Sequence, residues 1–269
     1  HSDLFSTHDE LFLQLLETRL TPETNIVFLG DCIDLPQAWT VNSVKSAHNR
    51  SLKTITRLCQ THKVIFIRGN HDWNVDYASL FPGSVCCERV IFGEKTLIWH
   101  GHQLDLMRNP ALNCAKFKTY LHSFGERLTG RRLNLPLEYN NSWPNRTFVT
   151  LGMYYNRILQ AKSRIHRRLG QERSARNIDR QLNFWARTVL GDPNDQFRLT
   201  CEKVLGKPYE RVISGHSHIP GVVPTPAGTY VNVGSWTGKS PQYGYWDGKS
   251  VTVHSAKTKR EFGDEYYKQ

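Results

Sequence analysis

The first seventy residues alternate longer amphipathic segments with short apolar runs, a pattern that predicts an α/β fold. Residues 8–19 and 44–61 place apolar side chains three and four positions apart, which is the spacing of one face of a helix. Each segment is followed by four apolar residues, at 26–29 and 64–67, with the length and composition of a buried strand. Helices that alternate with strands in this way predict parallel strands joined by crossover helices.

The pattern changes twice further along the chain. Residues 89–99 hold two apolar runs separated by a Gly-Glu pair, which predicts a β-hairpin. From about residue 113 to 205 the apolar spacing becomes helical, and the segment is rich in arginine, leucine and aromatic residues. Strands are predicted again beyond it, and an Asp-Gly pair at 247–248 marks a turn between the last two. These predicted strands are 211–214, 229–233, 243–246 and 250–254.

Charge divides the chain in a similar way. The net charge is +11, and residues 103–200 alone hold 17 Lys and Arg against 7 Asp and Glu. We predict a core made of residues 1–102 and 206–256, a basic helical insertion at 103–205 that caps the site, and a charged, frayed tail at 257–269. A basic module suggests an anionic partner, which can be a phosphorylated substrate, nucleic acid or an acidic membrane surface. The alternative is a helical face that its charge keeps solvated.

Four short groups of polar residues follow apolar runs in distant parts of the chain. Each group combines glycine with aspartate, asparagine or histidine. The carboxyl ends of strands in an open α/β sheet meet at one edge, and ligands bind at that edge. The four groups together therefore predict a metal site. They are Gly30-Asp31-Cys32-Ile33-Asp34, Gly69-Asn70-His71-Asp72, His100-Gly101-His102 and Gly215-His216-Ser217-His218.

Each residue type in these groups offers a different ligand atom. Asp31 is an anionic oxygen donor able to bridge two cations, and Asn70 offers a neutral carbonyl oxygen. His100, His216 and His218 offer imidazole nitrogens. A mixed nitrogen and oxygen set without thiolates suits manganese, iron, zinc or cobalt better than calcium. Two such cations about 3.5–4 Å apart would clamp a phosphoryl group and activate a bridging hydroxide for in-line attack.

Three neighbours of these ligands have predicted supporting roles. His71, next to Asn70, is expected to lie beside the metals without binding them. From there it could protonate the leaving oxygen or stabilise the charged transition state. We expect Asp72 to orient His71, and Asp34 to hydrogen-bond a metal-binding imidazole.

The order of these motifs resembles that of the calcineurin-like metallophosphoesterase superfamily. That family has DxH, GDxxD, GNHD or GNHE, a single histidine and then GHxH, and the resemblance covers both strand-rich blocks of this chain. It implies a four-layer αββα sandwich of two mixed sheets flanked by helices, with a two-metal centre at the strand ends. It also implies His71 as the catalytic histidine. One implied metal takes Asp31, Asn70, His100 and His216, and the other takes Asp31, His218 and the DxH pair.

The first family motif, DxH, is absent from the printed sequence. His1 and the residues after it resemble the second half of that motif, and their distance from Asp31 fits the spacing that the resemblance implies. We therefore expect His1 to be a metal ligand and its partner aspartate to precede residue 1. The rival interpretation makes Asp3 the first aspartate, with Phe5 in place of the histidine and a weak first metal position.

Two segments and the insertion suggest a substrate class. Residues 99–105 and 231–236, with a helical insertion between the fourth and fifth motifs, are similar to the UDP-2,3-diacylglucosamine pyrophosphatases of lipid A synthesis. In that group the insertion is a lid that holds acyl chains and lies on the membrane surface. Those enzymes commonly have GNRD at the third motif, where this chain has His71, so its substrate can differ. Candidate phosphate-binding residues are Arg131, Arg132, Arg164, Arg167 and Arg168, and candidate groove residues are Phe117, Tyr120, Phe124, Tyr154, Tyr155, Phe184 and Trp185.

These residues and the resemblance together predict a phosphoesterase that uses two divalent metal ions, manganese first among them, and hydrolyses a phosphodiester or pyrophosphate bond of a nucleotide-linked lipid or a related anionic substrate. A nuclease or a cyclic-nucleotide or general phosphodiesterase of the same superfamily is the first alternative, since basic helices with interleaved aromatics also suit nucleic acid. A non-catalytic phosphate-binding module is the second. The irregularly spaced cysteines favour free thiols over a disulfide framework, and we expect a cytoplasmic protein that associates with the inner face of the membrane.

Overall fold

Short strands and the helices between them give the chain an α/β fold, as the sequence predicts. The computed structural model describes residues 8–35, 40–104, 157–179, 194–236, 240–258 and 260–267. The helices are α1 (Asp9–Arg19), α2 (Val41–Ala47), α3 (Asn49–Thr61), α4 (Tyr77–Leu80), α5 (157–168), α6 (172–179) and α7 (Asp195–Lys203). The strands are β1 (Ile26–Leu29), β2 (Val64–Ile67), β3 (Val85–Cys87), β4 (Arg89–Phe92), β5 (Thr96–Trp99), β6 (Arg211–Ser214), β7 (Gly221–Thr225), β8 (Gly228–Asn232), β9 (Gln242–Trp246) and β10 (Val251–Ser255).

The chain divides into two compact units. The first is formed by residues 1–123 and 196–269, and the second by residues 124–195. In the second unit the described residues form α5 and α6, which agrees with the helical pattern of the sequence there. Ser163 and Arg167 on α5 both donate to the carboxylate of Asp179 on α6, so the two helices are joined by polar contacts. None of the described helices has the length and hydropathy needed to span a membrane.

Three strands form a parallel sheet in the order β1-β2-β3. The chain between β1 and β2 carries α2 and α3, so the predicted β-α-β crossover is confirmed. The single helix predicted at 44–61 is wrong in detail, because the structure has two helices that meet at His48. The first of them begins earlier than predicted, after Thr40, whose hydroxyl accepts a hydrogen bond from the backbone N–H of Ser43.

Five strands form a second, mixed sheet in the order β4-β5-β6-β8-β7. The predicted hairpin of β4 and β5 is antiparallel, whereas β5-β6 and β6-β8 are parallel. Strand β7 was not predicted, and Pro224 interrupts its apolar run in the sequence. Proline is tolerated there because β7 lies at the edge of the sheet. The predicted hairpin of β9 and β10 is confirmed as a separate two-stranded sheet.

Strands β2 and β5 are buried on both faces, and the side chains of β2 alternate between two hydrophobic clusters. On β2, Val64 and Phe66 pack with α1 and α3, while Ile65 and Ile67 point to the opposite cluster. That second cluster also contains residues of the five-stranded sheet, among them Ile98. A third cluster lies on the other face of that sheet. It joins Leu97, Trp99 and Val212 to Leu199, Cys201, Val204 and Leu205 in and after α7.

The end of the chain is packed rather than frayed, so that part of the tail prediction is wrong. Phe262 and Tyr267 are both buried. The Tyr267 hydroxyl donates to the backbone carbonyl of Ile219 at 2.5 Å. Apolar residues between the charges of this segment therefore dock it on the core. The cysteines within the described residues, Cys32, Cys59, Cys86, Cys87 and Cys201, are free thiols.

Candidate metal centre

Strand ends from both sheets bring four predicted ligands to one place. Asp31 follows β1, Asn70 follows β2, His100 follows β5 and His216 follows β6. Donor atoms of Asp31, His100 and His216 all lie within 4.8 Å of one another. The Asn70 side chain joins them through its Oδ1, which lies 3.3 Å from His100 Nε2. These are the four residues that the sequence analysis assigned to one metal.

His100 is fixed at the centre of this group. Its ring is 2% exposed, and its Nδ1 donates to the backbone carbonyl of Leu29 at 2.7 Å. The other nitrogen, Nε2, therefore faces Asp31 Oδ2 at 3.2 Å and Asn70 Oδ1 at 3.3 Å. A neutral imidazole with a proton on Nδ1 has its lone pair on Nε2. One nitrogen and two oxygen lone pairs then converge, and a carbonyl that fixes the ring by its other nitrogen is the usual support of a metal-binding histidine.

Without metal, Asp31 and His100 form a buried ion pair. Burial works to raise the pKa of Asp31, but the charges of His100 and His71 and their hydrogen bonds hold that pKa well below its usual range. Burial works to lower the pKa of His100, and the Asp31 carboxylate outweighs it, so the net shift is upward. Metal binding requires a neutral imidazole, and it would therefore release the proton from His100.

Three of the predicted ligands have strained backbone. Four non-glycine residues among those described have positive φ, and three of them are Asp31 (54°), His216 (63°) and His218 (59°). Side chains with a Cβ seldom adopt this left-handed region, and each instance costs about 1–3 kcal/mol. Such strain persists where the surroundings hold the residue in place, and it concentrates at functional sites. Its coincidence with three predicted ligands supports a functional role for these turns.

Two glycines of the motifs allow the ligands to approach each other. A Cβ on Gly30 would lie 2.3 Å from His100 Nδ1, and a Cβ on Gly69 would lie 2.0 Å from Asp31 Oδ1. Both distances are too short for any side chain. Gly30 also has a φ of 82°, which glycine adopts without steric cost. The glycines in GDxxD and GNHD thus have a direct steric reason in this chain.

His71 lies beside the ligand group, and its partner is Asp34. The two side chains meet at 2.9 Å between His71 Nδ1 and Asp34 Oδ1, and the His71 backbone N–H donates to Asp31 Oδ1 at 2.8 Å. His71 Nε2 is 3.9 Å from Asp31 Oδ2. Burial works to lower the pKa of His71, but Asp31 and Asp34 raise it to about 9. The sequence analysis expected Asp72 in the orienting role and placed Asp34 on a metal-binding imidazole, and the structure places Asp34 on His71 instead.

Asp72 connects the two loops that carry Asp31 and Asn70. Its carboxylate is fully buried and accepts three hydrogen bonds, from Cys32 N at 2.9 Å, Gly69 N at 2.6 Å and the Tyr77 hydroxyl at 2.5 Å. A carboxylate satisfied in this way has its lone pairs turned into the protein. Asp72 therefore holds the loops together, and this role cannot be told apart from that of Asp34 by sequence alone.

The other predicted site residues lie outside this ligand group. His218 is not part of the cluster that joins Asp31, His100 and His216 in the described part of the chain. It lies close enough for their charges to act on it: burial lowers the pKa of His218 to about 4, with Asp31 opposing this shift and His216 and His100 adding to it. On α5, Arg164 and Arg168 are exposed, and Arg167 donates to Asp179. The remaining candidates lie outside the described residues: His1, Asp3, Phe5, Phe117, Tyr120, Phe124, Arg131, Arg132, Tyr154, Tyr155, Phe184 and Trp185.

The structure adds neighbours that the sequence analysis did not select. The His102 ring centroid lies 5.4 Å from that of His100 and 6.3 Å from that of His216. Asn232, at the end of β8, donates from Nδ2 to Gly215 O at 2.7 Å and to Ser217 Oγ at 2.9 Å. Histidine at the second position of HGH was a usable signal, but hydrogen bonds made across a sheet leave no trace in local sequence.

Comparison with models of known protein families gives no match, and comparison with curated protein sequences gives none either. The geometry of the ligand group is therefore the basis for a functional proposal.

Proposed function

We propose that the protein is a dinuclear-metal phosphoesterase of the calcineurin-like type, which hydrolyses a phosphodiester or pyrophosphate bond. The observation that carries the proposal is the arrangement around His100. Its Nδ1 is held by a backbone carbonyl, and its Nε2 meets oxygens of Asp31 and Asn70 at 3.2 and 3.3 Å. The nitrogen and oxygen donor set suits manganese, with iron, zinc or cobalt as alternatives.

The packing of the first unit supports the proposed four-layer sandwich. Helices α1 and α3 contribute to a cluster with one face of β2, and the other face of β2 shares a cluster with the five-stranded sheet. Residues of α7 contribute to the third cluster, on the far face of that sheet. These contacts support the proposed order of helix, sheet, sheet and helix.

The residues of the chain divide the proposed reaction among them. Asp31, Asn70, His100 and His216 would hold one metal, and Asp31 with His218 and His1 would contribute to the other. Two bound cations would polarise the phosphoryl group and supply a hydroxide at neutral pH.

His71, held through Nδ1 by Asp34, keeps Nε2 for the substrate. From that atom it would donate a proton to the leaving oxygen or stabilise its developing charge. Asp72 would hold the loops of Asp31 and Asn70 together through its buried hydrogen bonds.

The substrate we propose is a nucleotide-linked lipid presented at the inner face of an acidic membrane, by a cytoplasmic enzyme. Ile158, Ile165 and Leu169 are 63%, 55% and 65% exposed. They lie seven and eleven positions apart along α5 and the turn after it, so they recur on one side of the helix. Exposed arginines, among them Arg164 and Arg168, accompany them. An apolar stripe with basic flanks is typical of a helix that lies on an anionic lipid surface.

Hydrolysis assays test the proposed reaction. With manganese, the full-length protein is expected to hydrolyse bis-p-nitrophenyl phosphate and to release UMP from UDP-2,3-diacylglucosamine. Turnover of the small diester alone would keep the reaction class and redirect the search to other lipids and to nucleic acids. Bound metal without turnover of either compound would favour the non-catalytic phosphate-binding module. A protein that binds no divalent metal would contradict the proposal as a whole.

Cosedimentation with vesicles tests the lipid surface. Replacing Ile158, Ile165 and Leu169 together with serine is expected to abolish binding to vesicles of anionic phospholipid, because the buried apolar area is lost. The control replaces two exposed residues of the sheets, Val85 on β3 and Ile91 on β4, with serine. It is expected to bind the vesicles normally. If the triple variant still binds the vesicles, the apolar stripe is not the lipid-binding surface. Binding to RNA or DNA that falls steeply with salt would instead support the nuclease alternative.

A further inference from the structure

Two loops carry the histidines of the site: the His100 loop follows β5 and the His216 loop follows β6. Gln196, in the first turn of α7, is hydrogen-bonded to the His216 loop. Its side chain is more than nine-tenths buried, with 8% exposed. Its Oε1 accepts a hydrogen bond from the backbone N–H of Ser217 at 3.1 Å. Ser217 stands between His216 and His218, both of which have left-handed backbone. The same N–H also donates to Gly215 O at 2.7 Å, so the bond to Gln196 adds an outside support to a turn that lies between two left-handed residues.

The other end of the same amide touches the second histidine loop. A Cβ on Gly101 would lie 2.0 Å from Gln196 Nε2 and 3.5 Å from the Cβ of His216. Gly101 separates His100 from His102 and has a φ of 110°. Gln196 thus lies between the loop of His100 and the loop of His216, in contact with both.

Packing alone does not explain an amide at this position. Gln196 Nε2 is buried and has no hydrogen-bond partner in the described part of the chain. A buried donor left unsatisfied costs about 1–3 kcal/mol, and a methionine would fill a similar volume without that penalty. What the amide provides, and a methionine would not, is the hydrogen bond to the Ser217 N–H.

Asn232 supports the opposite side of the His216 loop but does not join it to its neighbour. It is fully buried, and its Nδ2 donates to Gly215 O and Ser217 Oγ. The loop therefore has side-chain supports from β8 and from α7, and the Gly215 N–H also joins it directly to the His100 loop by donating to His100 O at 3.1 Å. Of the two side-chain supports, only Gln196 also touches Gly101 of the His100 loop.

We propose that Gln196 is a positioning residue that fixes the spacing between His100 and His216, and through it the affinity of the metal centre. The inference rests on the proposed metallophosphoesterase function, because it concerns how that metal site is held. Substitution of the outer partners of metal ligands typically costs about 10–100-fold in metal affinity. Gln196 is one contact further from the metal than such partners. It acts through the backbone of the two loops, and therefore on His100 and His216 together.

Manganese titration followed by electron paramagnetic resonance tests this role. We expect Gln196→Met to weaken manganese binding by about 10–100-fold, while the thermal midpoint in the presence of a chelator stays within a few degrees of the parent protein. The control is Gln60→Met on α3, an exposed glutamine whose Nε2 donates to Pro82 O at 2.7 Å, far along the sequence from the histidine loops. Gln60→Met is expected to bind manganese normally.

A size exchange at Gly101 provides an independent check. Gly101→Ala is expected to weaken manganese binding, because its Cβ displaces Gln196 from Ser217. Combined with Gln196→Ala, it is expected to cost less than the sum of the two single effects, since the colliding amide is gone. The positive φ of Gly101 limits this recovery to part of the loss.

The outcomes separate the two proposals. Normal manganese affinity in Gln196→Met, or strict additivity in the double variant, would overturn the positioning role and leave the metallophosphoesterase function standing. If the parent protein, without any substitution, binds no manganese, the proposed function itself is overturned. A loss of affinity matched by an equal loss of stability in chelator would reduce Gln196 to a packing residue.

Discussion

Replacing Asp31 with asparagine is expected to weaken manganese binding by more than about 100-fold and to abolish hydrolysis. The bound of 100-fold is the upper end of what the loss of an outer partner costs, and Asp31 belongs to the ligand group itself. Its Oδ2 lies 3.2 Å from His100 Nε2 and 3.9 Å from His71 Nε2. Both proposed metals use this carboxylate, so its charge contributes to each. Asparagine keeps the shape and an oxygen for the His71 N–H but removes that charge.

Metal content after dialysis and calorimetric titration with manganese measure this effect. The control is Asp264→Asn, which removes one negative charge from an exposed position near the end of the chain. It is expected to retain full metal content. If Asp31→Asn still binds two metals per chain with normal affinity, the Asp31 carboxylate is not a ligand. Asn70→Ala is a second test of the same metal site, because it removes an oxygen ligand without changing the charge of the protein.

The ligand group could be predicted from the sequence because strand ends were recognisable. Short runs of apolar residues define β1, β2, β5 and β6, and a polar residue within three positions after such a run lies near an end of the sheet. The positions of Asp31, Asn70, His100 and His216 follow from this rule without knowledge of any contact. Of the other two predicted ligands, His218 is outside the described cluster of Asp31, His100 and His216, and His1 lies outside the described residues.

The orientation of side chains within the loops could not be predicted. Asp34 and Asp72 are both three residues or fewer from a ligand, and sequence distance favoured Asp72 as the partner of His71. In the structure Asp34 reaches His71 Nδ1, while Asp72 points inward to Tyr77. Which of two nearby carboxylates faces a histidine depends on the conformation of the loops, including left-handed residues such as Asp31, and local sequence does not specify it.

The fold shows the same limit at short or interrupted elements. Strand β3 has three residues and is only partly buried, so its apolar run is too short to identify. Strand β7 contains Pro224, which only an edge position tolerates, and the edge position is a property of the whole sheet. The break at His48 also depends on tertiary contacts, because the helical spacing continues across it.

Replacing His71 with alanine is expected to lower turnover by about 10²–10⁴-fold, the usual contribution of a general acid, with metal content unchanged. His71 lies beside the ligands, and its Nδ1 is already engaged by Asp34 at 2.9 Å. Nε2 is therefore the atom left for a leaving oxygen. Asp34→Asn removes the charge that holds this ring, and we expect a smaller loss, of about 10–100-fold as for other outer partners.

The size and kind of these losses distinguish catalysis from metal binding. Steady-state hydrolysis of bis-p-nitrophenyl phosphate gives the turnover, and metal analysis of the same samples gives the occupancy. The control is His254→Ala on β10, whose ring contacts Thr252 in the separate hairpin. If His71→Ala loses metal in proportion to activity, His71 is a ligand and its assigned role is wrong. If Asp34→Asn costs as much as His71→Ala, then Asp34 contributes more than orientation, and its carboxylate must act on the substrate or the metals directly.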